Sequence, residues 1–531
     1  MVDNENKGTE DHFKKKLIDM VNKDMIQPEQ GKNIDKMIDS PDKENFEVAQ
    51  ELVKVKLEDK LTVGLNEDQT SAFADILEFL KDPQEDAFVL KGYAGTGKTF
   101  LVKRIIEYIT SNYPKRKIAI TAPTNKAVRV LQGDAEFTDD TLDISSRLTY
   151  STIHKLLGLK EQITNLGEQL FKPDGREKSE LSNYKYLIVD EVSMLDDVIC
   201  KEILKQSKTI RIIFMGDPAQ IPPVNRIDCI PFREQDDYKF QTVELTKIMR
   251  QTGEHPVVDA SFLIRNNLNK RHPIPVLETK IVDKKGIVYI DSKTQRKSVR
   301  PLLKKMFNNQ KFVDDADFAK VIAWRNDTVN YMNKLIRQIL YGQEADAYVI
   351  GEKLIASSAI FKHTGNKSKW GVKWHVDINT SEELEVINIS LDKKKFTEGA
   401  NKMYMQVYNC EVKVYDAGEK MFVTKEITIV HENSVQEYKE LIEKVKSIAM
   451  RAKDKSAWVT YFNIMKWTAD VGYNYAITAH KAQGSTYTHV LLMEEDLELN
   501  STTLERNRIK YTAYSRPTDK LFILRKNYGS N

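Results

Sequence analysis

The sequence predicts an α/β protein with two units, each built on a parallel sheet. Three observations predict it. Short apolar runs, among them Ala87–Leu90, Tyr186–Val189 and Ile212–Met215, read as strands buried on both faces, the pattern of parallel sheets. Loops and amphipathic stretches of helical period follow these runs. From about residue 317 the alternation starts again, with Phe318–Trp324 as a strand and Thr328–Leu340 as a helix.

The 531 residues suffice for three or four domains, and 41% hydrophobic with 30% charged residues suits a globular protein. No run of eighteen apolar residues marks a membrane span, and the N-terminus lacks the apolar centre of a signal peptide. Cys200, Cys229 and Cys410 lie far apart, with neither metal-ligand spacing nor a disulfide framework, which fits a reducing cytoplasm. A net charge of +3 permits a nucleic-acid partner without demanding one.

Residues 1–60 are rich in Lys, Asp and Glu and contain no Arg. They carry three short amphipathic patterns and read equally as a small helical appendage or as a charged tail. A loop then leads into a helix, with Gln69 at its start; a glutamine amide has the donor and acceptor to read an adenine edge. Next comes Gly92-Tyr-Ala94-Gly95-Thr96-Gly97-Lys98-Thr99, lying between a strand and a helix that begins with Phe100. A G-x-x-x-x-G-K-T loop in that setting cradles phosphates with its backbone N–H groups. Lys98 then reaches the β/γ-phosphates, and Thr99 offers its hydroxyl to Mg²⁺.

Pro123, Thr124 and Asn125 follow a second strand, where ligands gather in parallel sheets; helix capping explains them equally well. Residues 132–182 read as irregular and polar, with Thr152 and His154 opening a short helix and a hairpin over Leu159–Phe171. Phe171 admits two readings, core or exposed wedge. Asp190-Glu191 ends the apolar strand Tyr186–Val189. Beside a phosphate loop, one acid of such a pair holds Mg²⁺ through its water shell, and the other takes a proton from water. Gln220 follows the tight turn after the next strand and is placed to sense a γ-phosphate. Residues 345–435 alternate apolar and polar in short runs, which predicts an antiparallel β insertion. Trp458, Tyr461, Phe462 and Trp467 read as a core cluster.

Taken together, these segments resemble the helicases of superfamily 1B, its Dda- and RecD-like branch. LNEDQ, GYAGTGKT, TAPTNKAVRVL, STIHKLLG, VDEVSM, GDPAQIPPV, LTKIMRQ, TAHKAQGST and YTAYSRP match motifs Q, I, Ia, Ib, II, III, IV, V and VI in order, over residues 62–528. The resemblance implies two RecA-like P-loop domains with ATP and Mg²⁺ between them. It divides the chain into an extension (1–60), domain 1A (61–131 and 183–235), a pin subdomain (132–182), domain 2A (236–350 and 469–531) and an SH3-like and helical insertion (351–468).

It further implies that Gln69 reads adenine, that Asp190 stands on the Mg²⁺ side and that Glu191 is the general base. Arg250 and Arg516 become arginine fingers from the second domain. Pro123, Thr124, Thr152, His154, Thr478, His480 and Lys481 line a DNA path, with Phe171 as the pin's wedge. The expected activity is ATP-driven unwinding of DNA with 5′-to-3′ movement, a direction that comes from the subgroup alone. The expected partners are single-stranded DNA and duplex junctions, with a replication protein on the N-terminal extension, in the cytoplasm of a bacterial or phage-infected cell and with no membrane. Two alternatives remain: a translocase that strips proteins from single strands, and a P-loop switch acting through its N-terminal arm. Ser515-Arg516 stands where many relatives have Thr-Arg, and Trp324-Arg325-Asn326 replaces a more usual Thr-Asn pattern.

Overall fold

The computed structural model describes residues 32–34, 36–37, 58–82, 84–134, 147–163, 169–173, 179–223, 226–233, 237–247, 255–274, 278–368, 371–398, 401–416, 421–452 and 455–526. The first lobe is a six-stranded parallel sheet. In chain order its strands and those of the adjoining hairpin are β1 (Ala87–Gly92), β2 (Ile118–Ala122), β3 (Leu148–Thr152), β4 (Leu159–Ile163), β5 (Gln169–Pro173), β6 (Tyr186–Val189), β7 (Arg211–Gly216) and β8 (Phe240–Leu245). The sheet order is β3-β2-β6-β7-β1-β8, while β4 and β5 form the separate hairpin. One apolar cluster, around Phe73, Ile105 and Ile120, covers one face. A second, around Val89, Leu187 and Phe214, covers the other. Burial on both faces is why these strands are continuously apolar. Ile34, from the described part of the N-terminal extension, is buried in the first cluster.

The second lobe repeats the plan. Its strands and those of the insertion are β9 (Lys280–Val282), β10 (Lys285–Asp291), β11 (Ala319–Ala323), β12 (Lys353–Ala356), β13 (Ile360–Ser368), β14 (Gly371–Ile378), β15 (Glu383–Glu398), β16 (Asn401–Asp416), β17 (Met421–Val430), β18 (Val471–Tyr473), β19 (Ala476–Thr478), β20 (Tyr487–Met493) and β21 (Pro517–Arg525). The lobe's sheet runs β19-β11-β20-β21-β10-β9, parallel except for β9. The insertion is an antiparallel sheet, β17-β16-β15-β12-β18, with β13-β14 as a separate hairpin. The helices Val435–Ala452 and Lys455–Lys466 pack on one another, and the second of them also touches β4 and β13.

Three expectations change. Residues 148–152 are not irregular: β3 pairs in parallel with β2 at the sheet edge, Ala122 opposite Thr152. The boundary expected after residue 235 falls after Leu245, because β8 pairs with β1. The insertion sheet extends past residue 468 to include β18. Among the described residues no helix is long and apolar enough to cross a membrane.

Candidate functional site

The loop after β1 takes its shape from its glycines. Gly95 and Gly97 have φ of 87° and 78°, a left-handed conformation that glycine adopts without penalty. A Cβ on Gly92 would stand 2.8 Å from Thr96 Oγ1. Gly97 caps the helix Lys98–Asn112 without any side-chain bond, so the anion-seeking end of that helix faces into the loop. The Lys98 ammonium lies within the loop, donating to the Gly92 and Tyr93 carbonyls at 2.6 and 3.0 Å. Thr99 is half-buried beside it, and Phe100 is exposed, with the Arg104 guanidinium over its ring.

Gln69 sits against the phosphate loop. It is fully buried. Its amide nitrogen donates to the carbonyls of Thr96, at 3.0 Å, and Gly97. Its Oε1 accepts the Asn66 N–H as half of a capping box. Through these bonds Gln69 braces the phosphate loop, while its Oε1 keeps a second lone pair.

Asp190 and Glu191 stand at the end of β6, next to β7 and one strand from β1. Asp190 Oδ1 accepts the Glu191 N–H at 2.8 Å. Glu191 is a non-glycine residue at φ 51°, a conformation that costs about 1–3 kcal/mol and collects at functional sites. Burial first, and then the neighbouring Asp190 carboxylate, push the Glu191 carboxyl up to about 7, against the pull of Arg516 and Lys98. Gln220 is buried, and its Oε1 has no hydrogen-bond partner among the described residues.

Arg516 comes from the second lobe, just before β21. It is only 4% exposed. Its Nε donates to the Thr512 carbonyl at 2.8 Å, Nη1 to the Ser485 carbonyl at 3.0 Å and Nη2 to Ser515 Oγ at 2.8 Å. Burial lowers its pKa, while the nearby Glu191 carboxylate raises it. The lobes therefore meet with Arg516 near Glu191. Gly484, in the turn after β19, packs against Glu191 and Ala127, and the Gln483 amide donates to Ser193 Oγ at 3.0 Å. Arg250 lies outside the described residues.

Further residues join the lobes here that the motif reading did not single out. Tyr511 is 2% exposed; its hydroxyl donates to Asp217 at 2.5 Å and takes a hydrogen bond from the Ala94 backbone. Arg265 lies 3.3 Å over the Tyr93 ring and 3.9 Å from Asp217. Lys126 pairs with Asp317 at 2.6 Å and with Glu383 at 2.9 Å, and Asn125 donates to Glu382. Burial alone would raise Glu383, but Lys126 and Lys320 bring it down to about 2. One helix start on the first lobe is thereby tied to the second lobe and to the insertion. The signal for these contacts was the motifs themselves, which carry Tyr511, Asp217 and Lys126.

The residues expected to hold DNA sit at strand ends. Pro123 and Thr124 follow β2, and Thr152 ends β3, its neighbour; all three are half-buried, and His154 is exposed. Thr124 Oγ1 caps its helix by accepting the Ala127 N–H. Thr478 ends β19, with half-buried His480 and exposed Lys481 after it. Partial burial lowers the His480 imidazole pKa, against Glu505. Phe171 pairs with Glu161 across the β4-β5 hairpin; its side chain lies outside the described residues.

A family of AAA domains matches residues 64–280. The chain is 26% identical over 488 residues to an uncharacterized protein of Acanthamoeba polyphaga mimivirus, covering 84% of this chain and 97% of that one. It is 29% identical over 303 residues to the ATP-dependent DNA helicase dda of Enterobacteria phage T4, covering 56% of this chain and 62% of the phage protein. A crystal structure of Pif1 helicase from Candida albicans aligns at 15% identity over 87% of this chain and 94% of its own, with a TM-score of 0.41. That superposition is too loose to carry the fold, which rests on the strand orders above.

Proposed function

We propose that this chain is a helicase of the Dda- and RecD-like branch of superfamily 1B, an ATP-dependent enzyme that moves 5′ to 3′ on single-stranded DNA and separates duplex ahead of it; its likeness to the phage helicase dda and to RecD supports the reading. The observation that carries the reading is the second lobe closing on Glu191 of the first: Gly484 packs against that side chain, and Arg516 lies near enough for its charge to act on the carboxyl.

The residues fit Mg²⁺ and ATP. The glycine cradle has left-handed corners at Gly95 and Gly97 and no room for a Cβ at Gly92, Thr99 and Asp190 offer hard oxygen donors, and Gln220 presents a buried acceptor unused among the described residues. Mg²⁺ supplies neutralisation of the charge that develops on the phosphate oxygens. Lys98 swings from its carbonyl partners to the β/γ-phosphates. Glu191 takes the proton of the attacking water, Gln220 Oε1 orients that water, and Arg516 offsets charge on the γ-phosphoryl group. Arg250 stands as a second finger. Arg516 is held by its own lobe and meets Glu191 only across the lobe interface, so hydrolysis follows domain motion. Pro123, Thr124, Thr152, His154, Thr478, His480 and Lys481 lie at the ends of β2, β3 and β19 or in the short turns and helices that follow them. Each opening and closing then moves one lobe's grip relative to the other's.

Tyr511 makes closure legible to the phosphate loop. Tyr511→Phe leaves the buried Asp217 carboxylate short of its nearest donor, at a cost of about 1–3 kcal/mol. We expect DNA-stimulated turnover to fall roughly tenfold, since about 1.4 kcal/mol is a factor of ten, with a lower thermal midpoint. Wild-type turnover and an unchanged midpoint would leave the hydroxyl no part.

The test of the whole reading is ATPase activity with and without single-stranded DNA, followed by unwinding of duplexes with a 5′ or a 3′ tail. Strong stimulation and unwinding of the 5′-tailed duplex are expected, with Phe171→Ala losing unwinding and keeping ATPase. Hydrolysis indifferent to DNA overturns the reading. Stimulation without unwinding of either duplex leaves a translocase.

A further inference from the structure

One cluster of aromatic residues, with Trp467 and His363 exposed and Trp374 half-buried, sits on the insertion and is formed by none of the residues of the nucleotide cleft. His363 on β13 pairs with Trp374 on β14. Trp467 follows the helix Lys455–Lys466 and closes over both rings. Its centroid is 5.1 Å from that of Trp374, at an interplanar angle of 88°, and 5.2 Å from that of His363. The Trp374 indole N–H donates to Asn463 Oδ1 at 2.9 Å, which holds that ring against the helix. Trp467 nevertheless remains 38% exposed, and His363 and Val376 on the same hairpin are exposed. The expectation that Trp467 would be core with Trp458 and Phe462 therefore fails: those two are buried, while Trp467 points elsewhere.

An exposed tryptophan beside a second, braced one is a stacking surface, and two lysines flank it, the exposed Lys362 next to His363 and Lys466 next to Trp467. Lys466 holds its ammonium 4.7 Å over the Phe361 ring. Aromatic faces among cations suit unpaired bases and a phosphate backbone, because every base has a π-face. The helix carrying this cluster touches β4 of the hairpin over residues 159–173, the element read above as the separation pin.

We propose that Trp467, Trp374 and His363, with Lys466, form a stacking site for single-stranded nucleic acid, and that its occupant is the strand displaced at the β4-β5 hairpin. The site rests on the helicase reading. It gives the excluded strand a hold on the insertion, separate from the segments that carry His154 and His480, and so opposes reannealing behind the hairpin.

The test uses the full chain bound to a DNA fork with a non-hydrolysable ATP analogue, and 5-iodouracil placed in either the 3′-tailed displaced strand or the 5′-tailed strand. The expected result is a photocrosslink from the displaced strand to peptides containing Trp467 or Trp374. In solution, Trp467→Ala should weaken displaced-strand binding roughly tenfold, the scale of one lost stacked base. Its DNA-stimulated ATPase should remain within about twofold, since it touches no nucleotide ligand. Crosslinks from the 5′-tailed strand alone, or from neither strand, overturn the proposal, and the wild-type crosslink decides it even where the variant fails to fold. A protein whose ATPase ignores DNA fails the helicase reading instead, a separate readout.

Discussion

Glu191→Gln is expected to lower DNA-stimulated ATP turnover by about 10²–10⁴-fold, the range a positioned general base supplies, while nucleotide binding persists. The substitution keeps the shape and the φ of 51°, so the loss is of proton acceptance alone. Binding persists because a neutral amide beside Asp190 removes a like charge. The pH profile separates this role from a structural one. Burial and Asp190 raise the Glu191 carboxyl to about 7. Below that pH the group holds its proton and cannot accept another. The kcat/KM of the wild type should therefore fall with an acid limb near 7, and the residual activity of Glu191→Gln should lack that limb. Steady-state turnover across pH with a fluorescent-nucleotide titration checks both; a variant within about threefold of wild type removes the assignment.

What could be read in advance divides along physical lines. The loop from Gly92 to Thr99 was legible because its glycines answer a local steric demand, and local demands are written in local residues. Strand β6 was legible because both of its faces are buried and its residues say so. Strand β3, Leu148–Thr152, was not: an edge strand half-buried at most of its positions carries no apolar run. Strand β8, with the alternating pattern FQTVEL, hid for the same reason and shifted the boundary between the lobes.

The helix Thr503–Tyr514 shows a second limit. Its residues RNRIKY carry three cations, yet every position from Arg506 to Tyr514 is buried. Each charge finds a partner from elsewhere in the chain: Arg508 pairs with Asp228 at 2.8 Å and Lys510 with Glu494 at 3.3 Å. Buried charge requires such pairing, and residues 280 positions apart cannot announce it. Gln69 illustrates the same point. Its chemistry permits a base contact, and only the fold shows the two loop carbonyls to which its amide donates.

Arg516→Ala should lower kcat by about 10³-fold or more, as removal of an arginine finger does, and Arg516→Lys should not restore it. The guanidinium holds the Thr512 and Ser485 carbonyls and Ser515 Oγ from three separate nitrogens. A lysine is a point charge without that planar fork. Loss of the fork also leaves buried carbonyls unpaired, at about 1–3 kcal/mol each, so a lower thermal midpoint is expected in both variants and does not by itself identify a finger. The discriminating readout lies on the other lobe. Arg516 is a cation that holds the Glu191 carboxyl down against burial and Asp190. With that cation gone, the Glu191 pKa rises, and the acid limb of the remaining Arg516→Ala activity must move to higher pH. Arg516→Lys keeps the charge and should leave the limb near its wild-type place while kcat stays low. An acid limb unmoved in Arg516→Ala would mean that the second lobe does not close on Glu191, and the coupling of hydrolysis to domain motion would fall with it.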